Sequence, residues 1–369
     1  MWPDVSVIIP HYNNHAALAE VVAAVRAQRY DGAVEIIVAD DGSQVVPAIE
    51  GVTTVRQDDL GFRAAAARNL GAAAASGEVL AFLDGDTIPE PGYLAAVVPH
   101  IQRNRRAVVV GSRLTGPERR EPAWLVDAYT RTDHLSRADS TSWRFIISAA
   151  LTCSATFFRH IGGFDASIVG YGGEDWEFGW RAWNAGALFV HEPRAIALHP
   201  APDFGKRHAT EWSEALTKNA ETVALAQRIT HPIARPAGVV FPTADVAVTV
   251  PTFDAPGVTE TVISSWLAID ARVYVEEVAP LFAHDPRVVS GTAANERIRV
   301  TLAQPWALGD ADVFYRRATD RHLILADTTS VVSARALALT SPSVRSRGEL
   351  LGLRAVDGPQ RLERAFAGW

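Results

Sequence analysis

Short apolar runs that end on acidic or polar residues recur through the first half of this chain, with stretches of helical spacing between them. Val5–Pro10 predicts a strand, Ala16–Gln28 an amphipathic helix, and Val34–Ala39 a second strand ending in Asp40 and Asp41. Val52–Arg56 predicts a third strand, Arg63–Ala75 an alanine-rich helix closed by Ser76 and Gly77, and Val79–Leu83 a fourth strand ending in Asp84. Strands that alternate with helices build a parallel sheet, so the expected class is α/β. The polar residues gather after the strand ends, and in an open α/β sheet that edge is where ligands bind. Gly111 to Arg144, rich in charge and carrying Pro117 and Pro122, reads as a long surface excursion over that edge.

The second half has a different texture. Ala209–Gln227 is an acidic-then-polar helical segment, and the prolines of THPIARPAGVVFPTAD mark a connector. The expected domains are therefore residues 1–228, a proline-rich connector at 229–245, and a smaller α/β domain at 246–369. Val246–Trp266 reads as a loose copy of Val5–Val25, with Pro251 on Pro10 and Phe253 on Tyr12. At the same offset HLILADTTS falls on AFLDGDTIP, which sets Asp327 on Asp86, Leu325 on Asp84 and Leu323–Leu325 on the fourth strand. Pro280–His284 then falls on ADDGS. The alternative is chance, because apolar strands ending near Pro or Asp are common. A true repeat would keep the fold and lack the acidic pairs.

Composition narrows the classes. With 369 residues, 48% of them hydrophobic, the chain is long enough for two modest domains. The longest apolar stretch, Phe145–Phe158, is broken by Ser148, Thr152, Ser154 and Thr156, so no transmembrane span is expected, while peripheral membrane association stays compatible. MWPDVSVIIP has no basic region and no cleavage site and reads as the start of a strand. A single cysteine, Cys153, gives no internal disulfide and no cysteine metal cluster, which agrees with a cytoplasmic protein. A formal charge of −7 offers no reason to expect nucleic acid as a partner.

Three carboxylate clusters hold the candidate chemistry. ADDGS (Ala39–Ser43) taken alone reads as a turn. Asp84-Gly85-Asp86 is either a tight turn or a divalent-metal site, since two carboxylates at a buried strand end repel each other unless a cation lies between them. In GGEDWEFGW, two glycines precede Glu174 and Asp175 at the start of a helix expected to reach Asn184, where acidic residues are ordinarily partners of the helix dipole. Trp176, Trp180 and Trp183 recur at helical spacing, the usual mark of core packing.

The order VSVIIPHYNN, ADDGS, GFRAAAARN, LDGD, GGFD and GGEDWEFGWR resembles the family 2 glycosyltransferases of the GT-A fold across about Val5 to His199. The GFR and GGED stretches are most similar to bacterial chondroitin-type polymerases and to a C-terminal motif of β-1,4-galactosyltransferases. The resemblance implies a Rossmann-like mixed sheet flanked by helices, with the C-terminal domain as a degenerate GT-A half-repeat. It also implies an inverting, metal-assisted hexosyl or N-acetylhexosaminyl transfer from a nucleoside-diphosphate sugar, UDP-linked by expectation, to a glycan or glycoconjugate hydroxyl. In that reading Asp86 binds Mn²⁺ or Mg²⁺, and Asp84 faces the donor ribose or a metal-bound water. His199 completes the metal shell or meets the diphosphate, or else caps a strand end, and His191 is the weaker choice. Asp41 takes the uracil N–H with Asp40 behind it, Pro10 and Tyr12 shape the base pocket, and Arg68 reaches base or phosphate or pairs with Asp40 or Asp41. Asp175 is the general base, Glu174 orients hydroxyls, Gly172 and Gly173 let the backbone approach the sugar, and Trp176 is an acceptor wall or a core residue. A non-catalytic nucleotide-sugar-binding scaffold is the rival reading. A sugar nucleotidyltransferase is another, but HYNNHAA offers no glycine-rich triphosphate loop.

Overall fold

The computed structural model describes residues 2–200, 210–293 and 295–367. They form two compact units, one running to Trp183 with Ala187–Leu225, the other containing Asn184–Gly186 and the chain from Ala226 on.

In the first unit the strands are β1 (Val5–His11), β2 (Val34–Asp40), β3 (Thr53–Arg56), β4 (Val79–Leu83), β5 (Ile88–Pro89), β6 (Ala107–Thr115), β7 (Ala150–Ser154) and β8 (Leu188–His199). They make one eight-stranded sheet in the order β3-β2-β1-β4-β7-β6-β8-β5. β1, β2, β3 and β4 are parallel, β7 runs antiparallel to β4 and β6, and β6 and β8 are parallel again. The central strands β1 and β4 are buried on both faces, which is why they read as continuous apolar runs. The helices are α1 (His15–Arg26), α2 (Ala64–Ala74), α3 (Tyr93–Arg103), α4 (Ala123–Arg131), α5 (Ala155–His160), α6 (Glu174–Asn184) and α7 (Glu211–Arg228). Ala209, where α7 was expected to begin, lies outside the described residues.

Two devices aim this scaffold at its strand ends. α2 is alanine-rich because it must lie close to the sheet: a Cβ on Gly71 would come within 2.5 Å of the Ile8 side chain. In β8, Gly111 pairs with Glu192 but Ser112 pairs with Ile196, a bulge after which Thr115 stands opposite His199. Gly111 accommodates it, for a Cβ there would lie 2.5 Å from the Ala195 carbonyl oxygen. Inside the bulge Glu192 is gripped by Arg194 (Nε, 2.9 Å) and His100 (2.8 Å), and those hydrogen bonds, Arg194 first, hold its carboxyl at about 2. The expected excursion Gly111–Arg144 is in part this strand, continuing β6 to Thr115, and in part α4 and a short 3₁₀ turn at Ser142–Phe145.

The second unit contains β9 (Val246–Thr249), β10 (Ala271–Val275), β11 (Val288–Ser290), β12 (Ile298–Thr301), β13 (Trp306–Leu308), β14 (His322–Ile324), β15 (Ser330–Ser333), β16 (Val344–Arg345) and β17 (Leu353–Ala355). Its helices are α8 (Val258–Trp266), α9 (Ala311–Ala318), α10 (Ala334–Ala338) and α11 (Leu362–Ala367). Its main sheet has the order β11-β10-β9-β12-β15-β14-β16, and β13 pairs separately with β17. Strand for strand this matches β3-β2-β1-β4-β7-β6-β8, down to the direction of every pairing: only the two pairings made by β15 are antiparallel in that sheet, as only those of β7 are among the matching strands. α8 follows β9 as α1 follows β1, and α10 follows β15 as α5 follows β7.

The repeat therefore exists in the chain path, at a register different from the one the sequence suggested. The counterpart of β4 is β12, not Leu323–Leu325, which falls on the counterpart of β6. Asp327 accordingly does not take the place of Asp86. The proline-rich stretch 229–245 folds as part of the second unit. There Arg235 donates to the carbonyls of Ala226 (2.9 Å) and Thr243 (2.7 Å), pairs with Asp270 at 2.6 Å and lies 4.2 Å over the Phe241 ring. Trp266 is fully buried in this unit's core, its indole N–H donating to the Trp306 carbonyl at 3.0 Å.

Candidate active site

A cavity of about 760 Å³ opens at the carboxyl ends of the first unit's strands. That size suits a small-molecule ligand. Pro10 and Tyr12 after β1, Asp41 after β2, Arg68 on α2, Asp84 and Asp86 after β4, Gly172 to Trp176 at the head of α6 and His199 at the end of β8 all line it. His191, the weaker candidate, lies outside the cavity, buried and stacked on the Tyr129 ring at 3.7 Å. Of the other residues named as site candidates, Asp40 alone stands behind the wall. It is fully buried, receives the Ser43 N–H at 3.2 Å and pairs with Arg56 at 3.1 Å. Asp41 in front accepts from the Arg63 N–H (2.8 Å) and the Gln57 amide (2.5 Å). Tyr12 is exposed and donates to Asp59 at 3.0 Å.

The sheet register brings the metal-type donors together. Ile88 pairs with Leu198 across β5 and β8, and this short pairing sets the loop after β4 beside the end of β8. His199 Nε2 lies 3.2 Å from Asp86 Oδ2, with the imidazole buried and the carboxylate over a third exposed. Gly85 between the two aspartates is required by close approach, because a Cβ there would sit 2.8 Å from the Pro10 carbonyl. Among the described residues no three His, Cys, Asp or Glu side chains converge as a complete metal cage. Two facing protein donors leave coordination positions for ligand oxygens, as a cation shared with a phosphate requires.

Arg68 makes neither of the expected contacts with Asp40 and Asp41. Its buried guanidinium bridges Asp84 (2.6 Å) and Glu174 (2.9 Å), tying the loop after β4 to the start of α6. Burial alone would lower its pKa, and the two carboxylates more than reverse that. The neighbouring Asn69 clamps the next motif, donating to the Phe164 carbonyl (2.7 Å) and accepting from the Phe164 N–H (2.9 Å).

Asp175 faces the cavity from the first turn of α6 and accepts from the backbone N–H of Trp176 (2.9 Å) and Ser148 (3.4 Å). Burial, and then the charge of Glu174, push its carboxyl up to about 7, against the opposing pull of Arg68 and the two N–H donors. Trp176 is half-buried on the cavity wall, edge-on to Trp143 at 6.0 Å, whereas Trp180 and Trp183 are core residues. Gly172 and Gly173 both take φ +91, which favours glycine, and α7 occupies the space where side chains would go: Glu221 lies 3.1 Å from a Cβ on Gly172 and Leu225 3.3 Å from one on Gly173. That packing is one reason for the pair, and both glycines also line the cavity.

Several cavity residues had escaped sequence reasoning. His11 is buried, and among the described residues its Nε2 has no hydrogen-bond partner. Burial, then the charge of His15, lower its pKa, with Asp40 opposing. Arg113, Trp124 and Arg144 come from the excursion, and Glu214, Lys218 and Glu221 from α7. Phe62 and Tyr171 meet at 5.7 Å, with the Gly170 N–H bonded to the Phe62 carbonyl. Of these, Phe62 belongs to the GFR motif but had no role assigned, and the charge density and loop length of 111–144 had signalled Arg113, Trp124 and Arg144.

A cleft at the strand ends of an α/β sheet is a ligand site of such folds, and comparison with known proteins gives its class. The model of "Glycosyl transferase family 2" matches residues 6–161, and that of "N-terminal domain of galactosyltransferase" matches residues 136–196. Glycosyltransferase AglE of Haloferax volcanii is 30% identical over 55% of this chain and 69% of its own length. Chondroitin synthase of Escherichia coli is 27% identical over 61% of this chain, and pre-mycofactocin glycosyltransferase of Mycobacterium tuberculosis 30% identical over 53%. The chain belongs to the family 2 glycosyltransferases, and its first unit has the GT-A architecture of that family. It spans 38% and 42% of the lengths of the latter two relatives. Among the described residues no helix is long and apolar enough to cross a membrane.

Proposed function

We propose that the first unit transfers a hexosyl or N-acetylhexosaminyl group from a UDP-sugar to a hydroxyl of a glycan or glycoconjugate, with inversion at the anomeric carbon. The observation that carries this is the meeting of Asp86, His199 and Asp175 on one cavity, with the Asp175 carboxyl raised toward neutrality. The electrostatics call for a cation. Asp41, Asp84, Asp86, Glu174 and Asp175 all line the wall, and the charge of Arg68 is already engaged by two of them. A diphosphate entering that field needs a compensating positive charge. Asp86 and His199 would hold Mn²⁺ or Mg²⁺, and Asp84, steadied by Arg68, would face the ribose or a metal-bound water. The ion supplies Lewis-acid stabilisation of the leaving diphosphate.

Asp41 would accept the uracil N–H, with Pro10, Tyr12 and the buried His11 around the base and ribose, a reading supported by their shared lining of the cavity. Asp175 takes the proton of the acceptor hydroxyl while its oxygen bonds to the anomeric carbon, and the bond from that carbon to the diphosphate oxygen breaks, the diphosphate leaving with the electron pair. One in-line displacement requires one base, and Asp175 is the cavity carboxylate not held by an arginine that sits at the head of α6. Glu174, locked by Arg68, fixes the head of α6 and so the aim of Asp175. Trp176 offers an apolar wall for the acceptor.

UDP release from a panel of UDP-sugars, with Mn²⁺ and with EDTA, tests the reading. Turnover of at least one UDP-sugar that EDTA abolishes is expected. Tight metal-dependent UDP binding without turnover of any sugar, with or without acceptors, would instead favour the non-catalytic scaffold.

A further inference from the structure

The second unit repeats the chain path of the first, so the place to look for a retained binding function is the carboxyl end of β12, β14 and β16. A cavity of about 490 Å³ lies there. Gln304 and Trp306 enter it after β12, Asp327 after β14, and Arg347 and Glu349 after β16, with Asp357 closing the wall. It matches the part of the transfer cavity that lies at β4, β6 and β8, without the part at the ends of β1 and β2.

Its chemistry is different. Three carboxylates stand against one guanidinium, so the wall repels a nucleoside diphosphate or a polyanionic glycan. Asp327 is unsuited to a metal, because its oxygens already accept from the Trp306 indole N–H (2.8 Å), the Thr329 N–H (3.0 Å) and the Thr329 hydroxyl (3.1 Å). That carboxylate serves instead to fix the plane of the indole. Gly348 locks the ring further, for a Cβ there would fall 2.5 Å from the Trp306 ring. A half-buried tryptophan held before binding, facing a cavity rimmed by an amide, carboxylates and a guanidinium, is built to stack on the C–H face of a pyranose while the rim takes its hydroxyls.

We propose that this cavity binds an uncharged saccharide through Trp306, as a second site for the glycan on which the first unit acts. The identification of the ligand with the acceptor rests on the transfer reading above, while the binding itself does not. Saturation-transfer NMR on the full chain, with maltohexaose and chitohexaose as neutral probes and hexagalacturonate as the anionic one, tests it. A neutral hexasaccharide should bind the wild type and Asp86→Ala alike. Binding should weaken about tenfold in Trp306→Ala, the loss of ~1.4 kcal/mol of stacking. Gln304→Trp, which fills the cavity from an exposed position, keeps the test decisive if Trp306→Ala misfolds, and UDP binding on the same samples reports that the first unit is intact. Equal binding in Trp306→Ala, Gln304→Trp and wild type, preference for hexagalacturonate, or no neutral binding at all would overturn the site. Loss of UDP-sugar turnover in every condition with saccharide binding retained would overturn the transfer reading alone.

Discussion

The two units thread the same sheet and do different things at its edge. In the first, β4 runs into Asp84-Gly85-Asp86, and in the second its counterpart β12 runs into Leu302-Ala303-Gln304. Between β3 and β4 the first unit inserts α2 with Arg68, where among the described residues the second has no helix between β11 and β12. Between α5 and β8 it inserts α6 with Glu174 and Asp175, where α10 leads to β16 with none. A shared strand order thus places a crevice, and the chemistry comes from what is hung on the strand ends.

The comparison can be broken most sharply at Asp86. Asp86→Ala should abolish both turnover and Mn²⁺-dependent UDP binding, read by calorimetry with and without the metal, and metal-dependent binding that persists would place the cation site elsewhere. Asp175→Asn comes next. Turnover should fall by roughly two to four orders of magnitude with UDP-sugar affinity near normal, the signature of a lost base. The raised carboxyl also sets a pH profile: Asp175 accepts a proton only when ionised, so kcat/KM should rise with pH through a midpoint above the ordinary carboxylate range and no higher than about 7. In Asp175→Asn that limb should vanish. If it persists, another group titrates.

Arg68→Met tests the clasp that the second unit lacks. It leaves Glu174 buried without its partner, while Asp84, a third exposed, keeps water, so the unfolding transition of the first unit should drop by about 3 kcal/mol, the low end for a broken buried pair. An unchanged transition in thermal melts would show that the bridge does not hold the motifs together. The smallest effects should be equal in kind across the units. Ser154 caps α5 through the Phe157 N–H and Ser333 caps α10 through the Ala336 N–H, at matching places in the two sheets. Each change to alanine should cost its own unit about 1 kcal/mol, with the larger loss at Ser154, which also donates to the Arg105 carbonyl at 2.7 Å. Equal losses would mean that this extra bond adds nothing.

The first four strands of the first unit were legible because each apolar run ends near a polar or acidic residue, and the same rule exposed Asp41, Asp84 and Asp86, whereas β5 to β8 were not read as strands and the end of β6 was taken for part of the excursion. Asp175 was legible only through its motif. The partners of Arg68 were not, since Glu174 lies 106 positions away and no local pattern encodes that pairing. Nor could α7 be seen filling the space beside Gly172 and Gly173. The repeat was detected at β9 and misaligned downstream because His322–Ile324, followed by Asp327, imitates a strand end of the right kind, while the true counterpart β12 ends on Leu302 and carries no acidic mark. Where the chemistry has gone, the pattern that announces it has gone too.

The bulge in β8 makes chain length itself a determinant of the site. Between Glu192 and Ile196 the strand carries three residues, Pro193, Arg194 and Ala195, for which β6 has no partners. With those three residues paired in turn and no bulge, an unbroken ladder from Gly111 and Glu192 onward would set Thr115 opposite Ile196. An aliphatic side chain would take the place of the imidazole beside Asp86. The sheet works as a ruler, and the three extra residues of the bulge decide which side chain it delivers beside Asp86.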